Sequence, residues 1–239
     1  MIIYGINPVL EALRAGRVTR LRVSRRNDRR VDEVLALAGK HHVSVERVDP
    51  SALDRAARSG VHQGVVADVP DVADCSIADI LTAPTGPPLV VVLDGIEDPH
   101  NVGAILRTVD AAGASGVIRQ SRHSAALDGV VGKASAGALA HVRIATVVNI
   151  ARALDELKDA GVWTIGLAGD ATDVHTDVDW TLPSAIVLGA EGTGLRRLVR
   201  DSCERIVKIP MSGAVESLNV SVAAGIVLYK AVRQRRGRP

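Results

Sequence analysis

Apolar positions along this chain follow two periods in alternation. Short runs rich in Val, Ile and Leu at 89–94, 116–119, 142–147, 162–168, 185–190 and 205–209 have the composition of strands buried on both faces. Between them, 101–112, 125–139, 149–160 and 194–202 place apolar residues three and four apart, as Val102, Ile105, Leu106 and Val109 do, which predicts helices with one buried stripe. This β-α alternation predicts an α/β fold with a mostly parallel, doubly wound sheet and helices on both faces. After Ile209 a polar loop leads into a last helix that is apolar nearly all round. Leu218, Val222, Ile226 and Tyr229 line one face and Val220, Ala224 and Val227 another, so the helix is expected to be buried. Upstream, helices at 7–14, 29–40 and 50–58 and strands at 19–24, 43–48 and 63–69 predict a small α/β domain over residues 1–70. Pro70, Pro84, Gly86, Pro87 and Pro88 around one weak helical segment mark 71–88 as a linker, leaving 89–239 as the second domain.

Composition sharpens this picture at two points. Of 239 residues 47% are hydrophobic, yet Phe is absent and aromatics make up only 2%, so aliphatic side chains must fill the interior and stacking platforms for bases are scarce. No apolar run reaches the roughly 18–20 residues of a membrane span, and the first residues lack the basic-then-apolar layout of a signal peptide. A cytoplasmic protein without membrane attachment is expected. Cys75 and Cys203 stand far apart, which suggests neither a disulfide framework nor a structural zinc site. Net charge is only +2, but residues 1–70 carry 12 Arg and Lys against 8 Asp and Glu. That excess centres on Ser24 to Arg30, S-R-R-N-D-R-R, and a second basic cluster (Lys230, Arg233, Arg235, Arg236, Arg238) closes the chain. Both suit a polyanionic partner, and both also suit a solvated surface.

Candidate chemistry gathers where the predicted strands end. Three polar or glycine-rich stretches stand there: D-G-I-E-D-P-H-N-V-G at 94–103, G-A-E-G-T-G at 189–194 and the loop 209–219. Their spacing matches neither the dinucleotide G-x-G-x-x-G nor a P-loop, and no H-E-x-x-H or G-x-S-x-G occurs, which disfavours a metal site or a serine hydrolase. What remains is Asn101, Arg107, Glu191, Ser217 and Asn219, a set suited to placing a substrate and stabilising charge. Ser217 and Asn219 around Leu218 read either as a pocket floor or as a helix start capped by Ser217. Arg107 lies off the buried stripe of its helix, as a catalytic group or a surface ion-pair partner would.

The three stretches, in order, resemble the signature motifs of the SpoU-type, or TrmH-type, RNA ribose methyltransferases of the SPOUT superfamily. The first runs D-G-I-E-D-P-H-N-V-G-A-I-L-R-T, the second I-V-L-G-A-E-G-T-G-L and the third I-P-M-S-G-A-V-E-S-L-N-V-S-V-A-A-G. N-terminal Y-G-I-N-P-V-L-E-A-L and G-V-H-Q-G-V-V-A are similar to the substrate-binding domain of members that methylate a guanosine of large-subunit ribosomal RNA. The resemblance implies a trefoil-knotted catalytic domain preceded by a small L30e-like domain, and a homodimer with its active sites near the subunit interface. It implies S-adenosylmethionine held largely by backbone at Gly189, Ile209 and Leu218, with no metal. Arg107 then assists a ribose 2′-hydroxyl, Asn101, Glu191 and Asn219 orient it, and Ser217 adds a hydroxyl. Ribosomal RNA would be held through Arg25, Arg26, Arg29 and Arg30, with His62 and Gln63 in the matching motif. Transfer RNA, a ribosomal nucleotide of the antibiotic-resistance type, and a catalytically silent RNA-binding or assembly factor stay open as alternatives.

Overall fold

The computed structural model describes residues 1–25, 29–58, 60–72, 74–82 and 86–237. Among these, the chain forms two compact units, one of Met1–Ala73 with Val102–Arg107 and Ala126–His141, the other of Asp74–Asn101, Thr108–Ala125 and Val142–Pro239. No helix of the described residues is long and apolar enough to cross a membrane.

The first unit opens with β1 (Ile2–Tyr4), α1 (Ile6–Arg14), β2 (Arg20–Ser24), α2 (Arg29–Lys40), β3 (Val45–Val48), α3 (Pro50–Ala56) and β4 (Val65–Asp68). Its sheet runs β1-β4-β2-β3, with β4 antiparallel to both neighbours and β2 parallel to β3. Leu13, Leu21, Val23, Val34, Val65 and Ala67 form its core at full burial. A fully buried leucine or valine contributes about 1.5–3 kcal/mol, and only burial repeated over the whole cluster opposes an ordering cost of about 1–2 kcal/mol for every residue of the unit.

The second stretch of chain contains α4 (Ile77–Thr82), β5 (Leu89–Asp94), α5 (Pro99–Ala112), β6 (Gly116–Gln120), α6 (Gly129–Ala134), β7 (Ile144–Val147) and α7 (Ile150–Asp159). It continues through β8 (Trp163–Leu167), β9 (Asp173–Val174), β10 (Ser184–Gly189), α8 (Arg197–Ser202), β11 (Arg205–Lys208) and α9 (Val220–Arg236). Among the described residues the strands form a sheet in the order β7-β6-β5-β10-β8-β11-β9, with every pairing parallel. β9, two residues at the edge, escaped the sequence pattern because it is too short to show a period. α7 shows why these helices form where they do: Asn149 caps it by accepting from Arg152 N at 3.2 Å, and Ile150, Ala153, Leu154 and Leu157 bury one stripe.

Two expectations are corrected. The single helix expected over 125–139 is α6 followed by a 3-10 turn at Ala138–Ala140. Ala136 (φ 53°) and Gly137 (φ 99°) break it, and a Cβ on Gly137 would lie 2.6 Å from Glu11 Cβ, so the chain can pass there only as glycine. The last helix is not buried all round. Ala224, Val227, Leu228 and Ala231 are fully buried, whereas Val222 is 50% and Tyr229 52% exposed, with Leu218 and Ile226 also open. An apolar face marks what a helix can bury, not whether its own chain covers it.

α9 is fastened at its far end by part of the basic cluster. Arg235 donates through Nε to Trp180 O at 2.7 Å, through Nη1 to Pro87 O at 2.5 Å, and through Nη2 to Pro88 O at 3.1 Å and Leu182 O at 2.9 Å. Gln234 Oε1 accepts from Trp180 N at 2.8 Å. Burial pulls the Arg235 guanidinium below the ordinary arginine value, so this residue of the expected polyanion-binding tail is committed to the fold.

Candidate active site at the strand ends

β5 and β10 lie side by side, Leu89 opposite Ser184 and Asp94 opposite Gly189, so the loops that follow leave the sheet together. Asp98 caps α5, accepting from His100 N at 3.0 Å and Asn101 N at 3.3 Å, and Pro99 supplies the preset first turn. That turn presents the buried Asn101 side chain to the loop after β10: Nδ2 donates to Glu191 Oε1 at 2.8 Å. Asn219 Nδ2 donates to the same Glu191 oxygen at 2.9 Å and to Asn101 Oδ1 at 2.9 Å. One residue from each of the three stretches therefore closes a hydrogen-bonded triangle. Asn219 is also the N-cap of α9, its Oδ1 accepting from Ser221 N at 2.9 Å and Ser221 Oγ at 2.6 Å, which locks the amide orientation. Glu191 Oε2 has no partner among the described residues, an acceptor fixed in place by the bonds to its twin oxygen.

The loop carrying Glu191 is shaped by glycine. Gly194 N donates to Ala190 O at 2.9 Å, closing the turn over Gly192. A Cβ on Gly189 would lie 2.2 Å from Gly194 C and 2.3 Å from Leu195 N, so the loop folds back onto the space a side chain would occupy. The requirement for glycine at 189 thus arises within the loop itself.

Sequence reasoning missed the network beneath this loop. Asp94, at the end of β5, is fully buried; its Oδ1 accepts from Arg196 Nε at 2.7 Å and its Oδ2 from Arg196 N at 2.9 Å. Arg196 Nη2 also contacts Asp94 and donates to Gln120 Oε1 at the end of β6. An acid as the last residue of an otherwise apolar strand was the available signal, since such a charge must find a partner. Nearby, burial lowers the pKa of Arg119, whose Nη2 donates to Ser124 Oγ at 2.5 Å. An open cleft of about 560 Å³, lined by Asp94, Ile96, Asp98, Asn101, Glu191 and Arg196 among others, lies over these strand ends. That volume suits a small-molecule-sized group such as one nucleoside.

On the other side of the β10 loop, the turn after β8 approaches the third stretch, with the Cβ position of Gly169 3.8 Å from Glu216 O. Ile209 is half-buried and Leu218 37% exposed. Among the described residues, no backbone-to-backbone hydrogen bond engages Pro210 to Leu218, so their N–H and C=O groups are open to water or a ligand. Uncommitted neutral donors and acceptors beside the apolar Leu218 side chain fit a group held by backbone. Ser217 is exposed and joins neither the triangle nor the cap of α9, a place taken by Asn219.

Arg107 sits on α5 six residues beyond Asn101, roughly 9 Å along the axis and about 120° around it. It is exposed, with no hydrogen bond or ion pair among the described residues, and does not join the triangle. Of the expected RNA-binding residues, Arg25 is exposed and 3.8 Å from Asp49, and Arg30 is exposed. Arg26 and the Arg29 side chain lie outside the described residues. His62 Nε2 is 3.1 Å from Asp54 Oδ1 while its Nδ1 accepts from Gly64 N at 3.0 Å, and Gln63 Oε1 accepts from Ile6 N at 3.0 Å. These two side chains hold their own loop and the start of α1.

Comparison with known proteins gives this geometry a family. Residues 88–229 match the SpoU rRNA methylase family and residues 2–73 match the RNA 2′-O ribose methyltransferase substrate-binding family. The chain is 43% identical over 242 residues to the 23S rRNA (guanosine-2′-O-)-methyltransferase RlmB of Pseudomonas syringae, covering 99% of this chain and 96% of the relative. It is 38% identical over 238 residues to the putative TrmH family tRNA/rRNA methyltransferase YacO of Bacillus subtilis, covering 98% and 95%. The crystal structure of the SpoU methyltransferase AviRb from Streptomyces viridochromogenes, in complex with the cofactor AdoMet, superposes with a TM-score of 0.84 at 28% identity, covering 100% of this chain and 91% of that one. With both family matches spanning most of its length, and with Asn101, Glu191 and Asn219 brought together from its three motifs, the chain belongs to the SpoU rRNA methylase family.

Proposed function

We propose that this chain methylates the ribose 2′-oxygen of a guanosine in 23S ribosomal RNA, using S-adenosylmethionine and working as a cytoplasmic homodimer. The observation that carries the chemistry is the triangle of Asn101, Glu191 and Asn219 at the mouth of a nucleoside-sized cleft. The guanosine and the 23S RNA rest on the likeness to relatives so named. Within this reading, residues 1–70 bind RNA, 71–88 link, and 89–239 carry the methyl transfer, with the knotted threading of the family.

When bound, the cofactor supplies an electrophilic methyl group; Gly189, Ile209 and Leu218 would hold it through backbone. The residues of the chain do the rest by placement. Glu191, its carboxylate fixed by two amides, accepts from a ribose hydroxyl and sets the sugar, and in-line orientation is the largest contribution such a site can make. As the 2′-oxygen takes the methyl, the S–C bond breaks with its electron pair kept by sulfur, and the hydroxyl proton passes to water in the open cleft, so negative charge develops on the oxygen in the transition state. A guanidinium stays protonated in proteins, which makes Arg107 a stabiliser of that charge and not the base that removes the proton. The exposed apolar face of α9, with Val222, Ile226 and Tyr229, supports the homodimer, because an isolated chain has no use for so continuous a strip.

The test is transfer of labelled methyl to total RNA from a strain lacking the gene, followed by mapping of the modified nucleotide. One methylated guanosine in 23S RNA is the expected result. Label in tRNA or at another ribosomal nucleotide moves the substrate, and cofactor binding without any transfer replaces the enzyme with an RNA-binding factor.

A further inference from the structure

Arg196 is held more firmly than a solvent-facing arginine requires. Fully buried Asp94 and nearly buried Gln120 grip its Nε, Nη2 and backbone N–H from behind, while the side chain stays 47% exposed. Nη1 has no partner among the described residues, and Arg196 lines the cleft. His123, from the loop after β6, lines it as well, its Nδ1 3.4 Å from Glu97 Oε1. The rest of the charged lining is acidic: Glu97, Asp98 and Glu191 stand there with Asp94. Left alone, these carboxylates would repel the phosphodiesters on either side of a bound ribose. A guanidinium preorganised by a buried acid, with donors left over, is the group that takes a phosphate oxygen.

We propose that Arg196, with His123 in the same cleft lining, is the phosphate-binding group of the cleft and holds an RNA phosphodiester next to the ribose set by Asn101, Glu191 and Asn219. This rests on the RNA methyltransferase reading above. The competing account is structural: Arg196 only pins the Glu191 loop to the ends of β5 and β6.

Two measurements separate them, binding of a 23S RNA transcript across a salt series without cofactor, and steady-state methyl transfer. Arg196→Gln is expected to flatten the salt slope by about 0.7–0.9 and to raise KM for RNA with kcat nearly kept, as for one lost phosphate contact. His123→Ala raises KM by a smaller factor. Arg143→Ala, an exposed arginine at the amino end of β7, serves as control and leaves both readouts unchanged. An unchanged slope in a folded Arg196→Gln protein, or a loss of kcat at constant KM, overturns the phosphate role. Where Arg196→Gln melts early because Asp94 is left unpaired, Asp94→Asn/Arg196→Gln removes both charges and gives the same slope reading. If the wild-type protein binds the transcript but transfers no methyl, the enzyme reading fails, and the slopes still decide for or against Arg196.

Discussion

Glu191 receives both amide bonds on one carboxylate oxygen, which turns a surface acid into an oriented acceptor; Arg107, by contrast, has no hydrogen bond or ion pair among the described residues to orient it. A group that engages only as charge develops has this character, and its loss shows in turnover and not in ground-state binding. Arg107→Ala is expected to lower single-turnover methyl transfer by roughly two orders of magnitude or more while calorimetric cofactor affinity holds. Cys203 illustrates burial without such a task. Its thiol is pushed up from 9.0 to about 12, chiefly by burial and further by Asp94. In the folded protein it should therefore resist alkylation at pH 8 and react once unfolded, as mass spectrometry of labelled peptides would record. The linkage follows the same sign: between pH 9 and about 12 the unfolded chain has lost a proton that the folded chain keeps, so this contribution to stability declines across that window.

Elements owe their placement to a few long-range ties. The β10 loop doubles back onto Gly189, and any side chain there must displace Gly194 and Leu195 and with them Glu191. Gly189→Val should therefore abolish methyl transfer with the far-UV signature of the fold kept, whereas Leu218→Met, close in volume and partly exposed, should cost no more than about 1.5 kcal/mol. Near-normal activity in Gly189→Val would show that the loop has another course open to it. At the other end of the molecule, Arg235 satisfies four carbonyls around the C-terminal turns of α9. Arg235→Ala should cost on the order of 2 kcal/mol or more, since bonds to a charged donor are worth about 1.5–3 kcal/mol each and are not additive. Calorimetry should then find Tm lower by about 4–8 °C.

For the molecule as a whole, the open face of α9 is the feature that an isolated chain leaves without a purpose. Val222, Ile226 and Tyr229 follow one another at helical spacing on α9, with Leu218 just ahead of its N-cap Asn219, and all four are exposed. Covering this strip with a second copy would couple the cap of α9, and so the triangle, to assembly. Ile226→Glu with Tyr229→Glu is expected to give a folded monomer by sedimentation velocity, with methyl transfer reduced at least about tenfold; an unaltered dimer would place the interface elsewhere.

Much of this was legible in the residues because the forces involved are local or periodic. The strands of the large sheet are aliphatic on both faces, α5 begins at an Asp-Pro cap, and the three motif stretches had to fall at carboxyl ends once the β-α rhythm was recognised. Pairings between distant residues were out of reach. Nothing near Asp94 announces Arg196, 102 positions away, nor does Gln63 announce Ile6. The break at Ala136 and Gly137 depends on Glu11 lying against it, and the committed role of Arg235 on carbonyls from Pro87 to Leu182. Periodicity reports which face of a helix prefers to leave water, as it did for α9. Which neighbour covers that face, and which charge meets which, are decided only when the folded chain brings the elements together.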